Sequence, residues 1–141
     1  IAREINTNLT APCLLVAHLL PALDHGRDAR IVNVNSGLAL APKTDSAVYC
    51  ATKAGLDTFS QSLRYQLEGA RVRVQQAFLP LVDTGMTAGR GQGKLSAEYA
   101  AQAILAGIKR GRQDHDVGKV RILRVLTRWL PGLARRIMKA G

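Results

Sequence analysis

The sequence predicts an α/β fold in which helices pack on a parallel sheet. Two observations carry this reading. Apolar residues recur three and four positions apart in some stretches, and short β-branched runs alternate with those stretches. Gly, Pro, Asp and Ser mark the junctions, so each run ends where the chain can turn.

Residues 3–23 place Leu9, Cys13, Val16, Leu20 and Leu23 on one stripe of a first helix. Pro12 is expected to bend it and Pro21 to end or kink its last turn, because proline lacks an N–H and crowds the preceding turn. Asp24-His25-Gly26 forms a turn before a strand at 30–35, Arg-Ile-Val-Asn-Val-Asn, which Ser36-Gly37 closes. A second helix spans 46–68, with Leu56, Phe59, Leu63 and Leu67 inward and Gly69 as a left-handed C-terminal residue. Residues 72–79 form the next strand. Four glycines among polar and basic residues make 85–94 a mobile loop with room for a ligand. It is not a phosphate loop: around Gly93-Lys94, Ala88 and Leu95 stand where that pattern needs Gly and Ser or Thr. Ser96 caps a third helix at 97–109, with Ala101, Ile104, Leu105 and Ile108 on its apolar face. A short strand at 115–119 follows, then an amphipathic basic helix at 120–130. Pro131-Gly132 separates that helix from a second basic helix at 133–139.

Length and composition narrow the class. At 141 residues, 47% hydrophobic and 21% charged, the chain reads as one folded domain whose core needs neither disulfide nor structural metal. Cys13 in an apolar run and Cys50 beside Tyr49 suit a reducing compartment. With no signal-peptide pattern and no run of about 18 apolar residues, the expectation is a cytoplasmic protein without a spanning helix. His18, His25 and His115 lack metal-ligand spacing, so no metal is expected. The net charge of +10 is uneven. Residues 1–108 hold ten Lys/Arg and eight Asp/Glu, whereas 109–141 hold ten Lys/Arg against only Asp114 and Asp116. Aromatics do not interleave with this basic region, and no nucleic-acid-binding motif occurs, so nucleic acid is not an expected partner.

Four residues carry chemistry. Tyr49 and Lys53, four apart at the start of the second helix, emerge on one face about one turn apart. A phenol with a pKa near 10 beside a cation is brought toward acid/base work near neutrality. Ser36 ends the preceding strand at the carboxyl edge of the sheet, where open parallel sheets place ligands, and its hydroxyl can donate to a carbonyl. Asn8 can order a water beside Lys53. Singly, each has a plainer role as a helix-end surface group or a turn residue.

Together these residues resemble the short-chain dehydrogenase/reductase family. Ser36 follows Ile31-Val32-Asn33-Val34-Asn35 and precedes Tyr49-Cys50-Ala51-Thr52-Lys53 by thirteen positions. Asn8, within Ile5-Asn6-Thr7-Asn8-Leu9-Thr10, lies forty-one before the tyrosine. The resemblance covers essentially the whole chain. More loosely, Val48 to Ala54 and Leu81-Val82-Asp83-Thr84 resemble a bacterial branch associated with D-alanine esterification of teichoic acids.

The resemblance implies the later half of a Rossmann-type doubly wound parallel sheet. Residues 1–141 are then the carboxyl-terminal part of a single domain, with 120–141 as a basic helical tail or substrate cap. It also implies hydride transfer between NAD or NADP, with NADPH favoured, and a small alcohol or carbonyl substrate. Tyr49 would be the general acid/base. Lys53 would lower the tyrosine pKa and bond the nicotinamide ribose, Ser36 would polarise the carbonyl, and Asn8 would hold a water. Pro80, Val82 and Thr84 fall in a stretch similar to the one that packs on the nicotinamide, although Leu79-Pro80 replaces the usual Pro-Gly. Asn35 stands where serine is common. The family's glycine-rich phosphate loop belongs upstream of Asn8, so this polypeptide alone is expected to be inactive. A homodimer or homotetramer is the expected assembly.

Two other readings compete. One is a catalytically idle, truncated relative serving as an interaction module. The other is peripheral attachment to a membrane through Arg121, Arg124, Arg128, Arg135 and Arg136 with the apolar residues between them. A substrate cap with a solvated basic face is the plainer account of that tail.

Overall fold

The computed structural model describes residues 1–25, 27–89 and 91–140. Three parallel strands, β1 (Ala29–Ser36), β2 (Val72–Leu79) and β3 (Asp114–Asp116), lie side by side in that order. Helices alternate with them, so the expected α/β architecture with a parallel sheet is present.

The chain starts as a helical run: α1 (Ala2–Ile5), a π-helical turn (Asn6–Thr10) and α2 (Ala11–Leu23). The sequence placed a bend at Pro12; the distortion instead falls one turn earlier. Pro12 has no N–H to offer the carbonyl four residues back, that of Asn8, and the wider π turn, in which Ala11 N–H bonds Asn6 O, absorbs the mismatch. Pro21 lies inside α2, which ends at Leu23 as the spacing predicts.

Helix α3 (Ala47–Gln66) connects β1 to β2. Its end is slightly earlier than the apolar pattern suggests, and Gly69, at φ 83°, makes the turn that leads into β2. The strands β1 and β2 run in register from Ala29 with Val72 to Ser36 with Leu79. One face of this pair carries the apolar core: Val16 from α2, Leu63 from α3 and Ile31, Val72 and Val74 from the strands, with Leu20, Leu23, Phe59 and Leu67 around them. Odd-numbered β1 residues face α3, where the Asn33 amide donates to Ser60 Oγ at 2.8 Å. Because β2 is central, it is buried on both faces from Val74 to Phe78.

Helix α4 (Ala97–Lys109) is capped by Ser96, whose hydroxyl accepts from the Tyr99 N–H at 3.1 Å. Strand β3 is shorter and one residue earlier than predicted. Helix α5 (Val120–Trp129) and helix α6 (Pro131–Ala140) complete the chain, with Pro131 opening α6 rather than separating it from the preceding helix. The expected turn at Asp24-His25-Gly26 and the loop 85–94 include Gly26 and Arg90, which lie outside the described residues. Hydrogen bonds and an ion pair close the base of that loop. Leu95 N–H bonds Leu81 O at 3.0 Å, Asp83 N–H bonds Leu95 O at 2.8 Å, and the Lys94 ammonium reaches Asp83 Oδ1 at 3.1 Å and Thr87 O at 2.7 Å.

Candidate active site

Parallel pairing brings the carboxyl ends of β1 and β2 together, so Ser36 and the segment that follows Leu79 share one edge of the sheet. Ser36 leaves the strand in extended conformation and turns the chain. Its Oγ accepts from Leu38 N–H at 3.2 Å and so caps the short 3-10 turn Gly37–Ala39. Helix α3 starts beside this turn, and its first two turns carry Tyr49 and Lys53.

The Lys53 ammonium donates to Val34 O at 3.0 Å and stands 5.7 Å from the centre of the Tyr49 ring. Burial pushes the Tyr49 phenol above its ordinary value of 10.0; a side-chain hydrogen bond with Ser36 opposes this shift, while Cys50 and Glu4 add to it. Burial also lowers the Lys53 ammonium below its ordinary 10.5. The sequence expected the lysine to draw the phenol down. Burial is the largest influence on both groups here, because enclosure disfavours charge on each of them.

Asn8 sits in the π turn and reaches the same part of α3. Its amide donates to Thr52 Oγ1 at 3.4 Å, and the Thr52 hydroxyl donates to Tyr49 O at 2.7 Å. The Asn8 side chain is therefore anchored one residue from Lys53. The fold thus gathers Asn8, Ser36, Tyr49 and Lys53 from two helices and a strand end.

Pro80, Val82 and Thr84 continue from β2 at this edge. Val82 bridges Leu95 in parallel fashion. Thr84 N–H donates to Thr87 Oγ1 at 3.0 Å, while the Thr87 hydroxyl donates to Val82 O at 2.6 Å. These bonds fix the local backbone of the segment that leaves the carboxyl end of β2.

A polar ladder behind the site was not picked out from the sequence. Asn35, 2% exposed, accepts from Ser36 N–H at 2.8 Å and donates to Lys53 O at 3.2 Å and Gln76 Oε1 at 3.0 Å. Gln76 in turn donates to Asp57 at 2.7 Å and lies 3.3 Å from Asp114, which pairs with Arg64 at 2.6 Å. The ladder ties the backbone of both Ser36 and Lys53 to the middle of the sheet. The only signal in the sequence was polar residues alternating within β-branched runs, a pattern shared by solvent-facing strands.

Two clefts flank these elements. A shallow, mostly apolar one of about 330 Å³ is lined by Leu38, Pro42, Ala47, Cys50, Ala51 and Ala54 beside the start of α3. A larger one of about 790 Å³ lies toward the amino end of β2, around Arg64 and Asp114. Arg64 there donates through Nε to Val74 O and through Nη2 to Gln113 O and Asp114, so it joins α3 to β2 and β3 across that cleft.

Known proteins share this fold. The chain is 40% identical over 131 residues to the "Uncharacterized oxidoreductase DltE" of Bacillus subtilis, covering 89% of this chain and 52% of that relative. It superposes with a TM-score of 0.91 at 22% identity on a short chain dehydrogenase from Burkholderia cenocepacia in complex with NADP, covering 97% of this chain and 58% of the other. A short-chain dehydrogenase from Sphingobium yanoikuyae in complex with NADPH gives a TM-score of 0.75 at 27% identity, covering 95% of this chain and 54% of the other. The chain thus spans about half the length of these proteins. The family model described as short chain dehydrogenase matches residues 1–95, well over half of the sequence. On these grounds the chain belongs to the short-chain dehydrogenase family of oxidoreductases.

Proposed function

We propose that the protein carrying this chain is an NADP(H)-dependent oxidoreductase that interconverts a small alcohol and the corresponding carbonyl compound, with Tyr49 as general acid/base. The observation that carries this reading is the convergence of the Ser36 strand end with Tyr49 and Lys53 on the first two turns of α3, the Lys53 ammonium standing 5.7 Å from the centre of the Tyr49 ring. NADPH in the Sphingobium relative, at 27% identity, supports the choice of cofactor.

The residues at the edge suit the nicotinamide-ribose end of such a cofactor. An ammonium has three donors. Lys53 directs one to Val34 O, and the others suit ribose hydroxyls. Pro80, Val82 and Thr84, on a backbone held by Thr87 and Leu95, form the wall beside it. When bound, the nicotinamide supplies a hydride to the carbonyl carbon, or accepts one from the alcohol.

Ser36 orients the substrate oxygen by hydrogen bonding. Tyr49, protonated at neutral pH as a phenol ordinarily is, gives its proton to that oxygen during reduction. The phenolate left behind is stabilised by the neighbouring Lys53 charge until solvent returns the proton. In alcohol oxidation the same proton moves the other way, so Tyr49 must first ionise. Asn8, fixed through Thr52 to the backbone carbonyl of Tyr49, keeps the π turn against this pair.

The test is NADPH consumption by the full-length protein with a panel of aldehydes and ketones, with Ser36→Ala as control. Turnover with at least one carbonyl, lowered about 10-fold or more in Ser36→Ala, supports the reading. No consumption with any carbonyl or alcohol in either direction overturns it.

A further inference from the structure

Residues 117–140 carry seven Lys/Arg and no Asp/Glu. The two nearest acids, Asp114 and Asp116, are already paired with Arg64 and Arg124. Arg124 is turned inward, its guanidinium 4.5 Å from the centre of the Phe78 ring and bidentate on Asp116 at 2.6 and 2.8 Å. The other six cations, Lys119, Arg121, Arg128, Arg135, Arg136 and Lys139, are exposed.

The apolar side chains of α5 divide in the same way. Val120 is buried, and with Leu123 it closes over Gly37, the residue after Ser36. Ile122, Val125 and Trp129, three and four apart, form a second apolar stripe that is 64%, 58% and 72% exposed. Helix α6 repeats the division. Ala134 is buried, Leu133 and Ile137 are 46% and 49% exposed, and Thr44 Oγ1 donates to Lys139 O at 2.9 Å to hold its end. Each helix thus has one apolar side on the protein and another facing outward beside arginines.

A basic face needs only the arginines for solubility; the outward Ile, Val, Trp, Leu and Ile side chains need a further reason. No described helix is long and apolar enough to cross a membrane. Short amphipathic helices with Trp and aliphatic residues beside Arg and Lys instead lie in the headgroup region of anionic bilayers. Arg128 over the Trp129 ring, at 5.7 Å, joins the two halves of that pattern in adjacent residues. We propose that the outward face of α5 and α6 docks on an anionic lipid surface. The charge complementarity selects the occupant: a neutral apolar partner leaves six cations unmatched, and a polyanion without an apolar phase leaves the stripe wet. Because the inner side of α5 covers the turn after Ser36, docking also brings the site close to the lipid, where amphipathic carbonyl compounds partition.

The full-length protein is mixed with phosphatidylcholine vesicles with and without phosphatidylglycerol, and sedimentation is measured at low and high salt. Trp129 is the single tryptophan of this chain, and comparison with Trp129→Phe assigns its emission. The proposal expects sedimentation with phosphatidylglycerol vesicles only, release by high salt, and a blue shift of Trp129 on binding. Arg128→Glu with Arg136→Glu is expected to weaken binding about 10-fold or more while leaving circular dichroism and NADPH turnover unchanged. Absence of sedimentation at low salt overturns the proposal. Equal binding to neutral vesicles does so too, as does Trp129 emission already blue and shielded from iodide before vesicles are added, which would assign the stripe to a second copy or another part of the protein. A Trp129 shift with RNA and none with vesicles would assign the face to nucleic acid and equally overturn it.

Discussion

The imidazole of His115 rests against the backbone of Gly107: a Cβ on that glycine would come within 2.5 Å of the ring Cγ. Helix α4 can approach β3 this closely only because residue 107 has no side chain. Gly107→Ala must therefore separate α4 from the sheet or displace the ring. The expected loss is about 1–3 kcal/mol, although alanine is the better helix former. Thermal unfolding measures it, and a melting temperature equal to or above wild type would count against this packing.

His115 also sets an acid limit on stability. Burial first, then Arg121 and Arg112, hold its pKa below the ordinary 6.5, and among the described residues its Nδ1 has no partner. With the folded-state pKa lower than the unfolded one, the unfolded chain takes up the proton first as pH falls. Stability therefore declines downward from about pH 6.5 until the folded-state pKa is passed. Denaturant midpoints across that window should fall in wild type and fall less in His115→Gln.

Asn35 links Ser36 and Lys53 by accepting from Ser36 N–H and donating to Lys53 O, and a third hydrogen bond ties it to Gln76. Asn35→Ala leaves Ser36 N–H and Gln76 Oε1 without those partners, at a cost of about 1–3 kcal/mol. Under the proposed mechanism turnover should drop by more than the loss of folded protein explains, because Ser36 and Lys53 both lose their shared support. Unfolding midpoints beside kcat, with Asn35→Asp as comparison, separate the two effects.

Arg64 predicts the opposite combination. Its side chain is 13% exposed and bridges Val74, Gln113 and Asp114, far along the ladder from Tyr49. Arg64→Met should lower stability by about 2–4 kcal/mol while leaving the pH profile of the remaining activity in place. A profile shifted in this variant would mean that the larger cleft takes part in the chemistry.

The meeting of three candidate residues was legible from spacing: Tyr49 and Lys53 share a helical face, and Ser36 ends a β-branched run. The upward shift of Tyr49 was not. It depends on how tightly the helix closes on the strand end and on Glu4 arriving from another helix. The π turn had a visible cause in Pro12 but an unexpected place, since a missing N–H acts on the carbonyl four residues back. The ladder from Asn35 to Arg64 was hidden because Asn and Gln in a strand look alike whether they face water or one another. In the last two helices the apolar pattern was visible, but which stripe packs inward depends on Gly37 and Phe78, distant in sequence.

The most direct test of the central claim is kcat for carbonyl reduction in Tyr49→Phe of the full-length protein, beside its melting temperature. The account predicts a loss of about 100-fold or more with the fold intact, because the proton donor is gone while Ser36 and Lys53 remain. Turnover close to wild type in a folded Tyr49→Phe protein would contradict it.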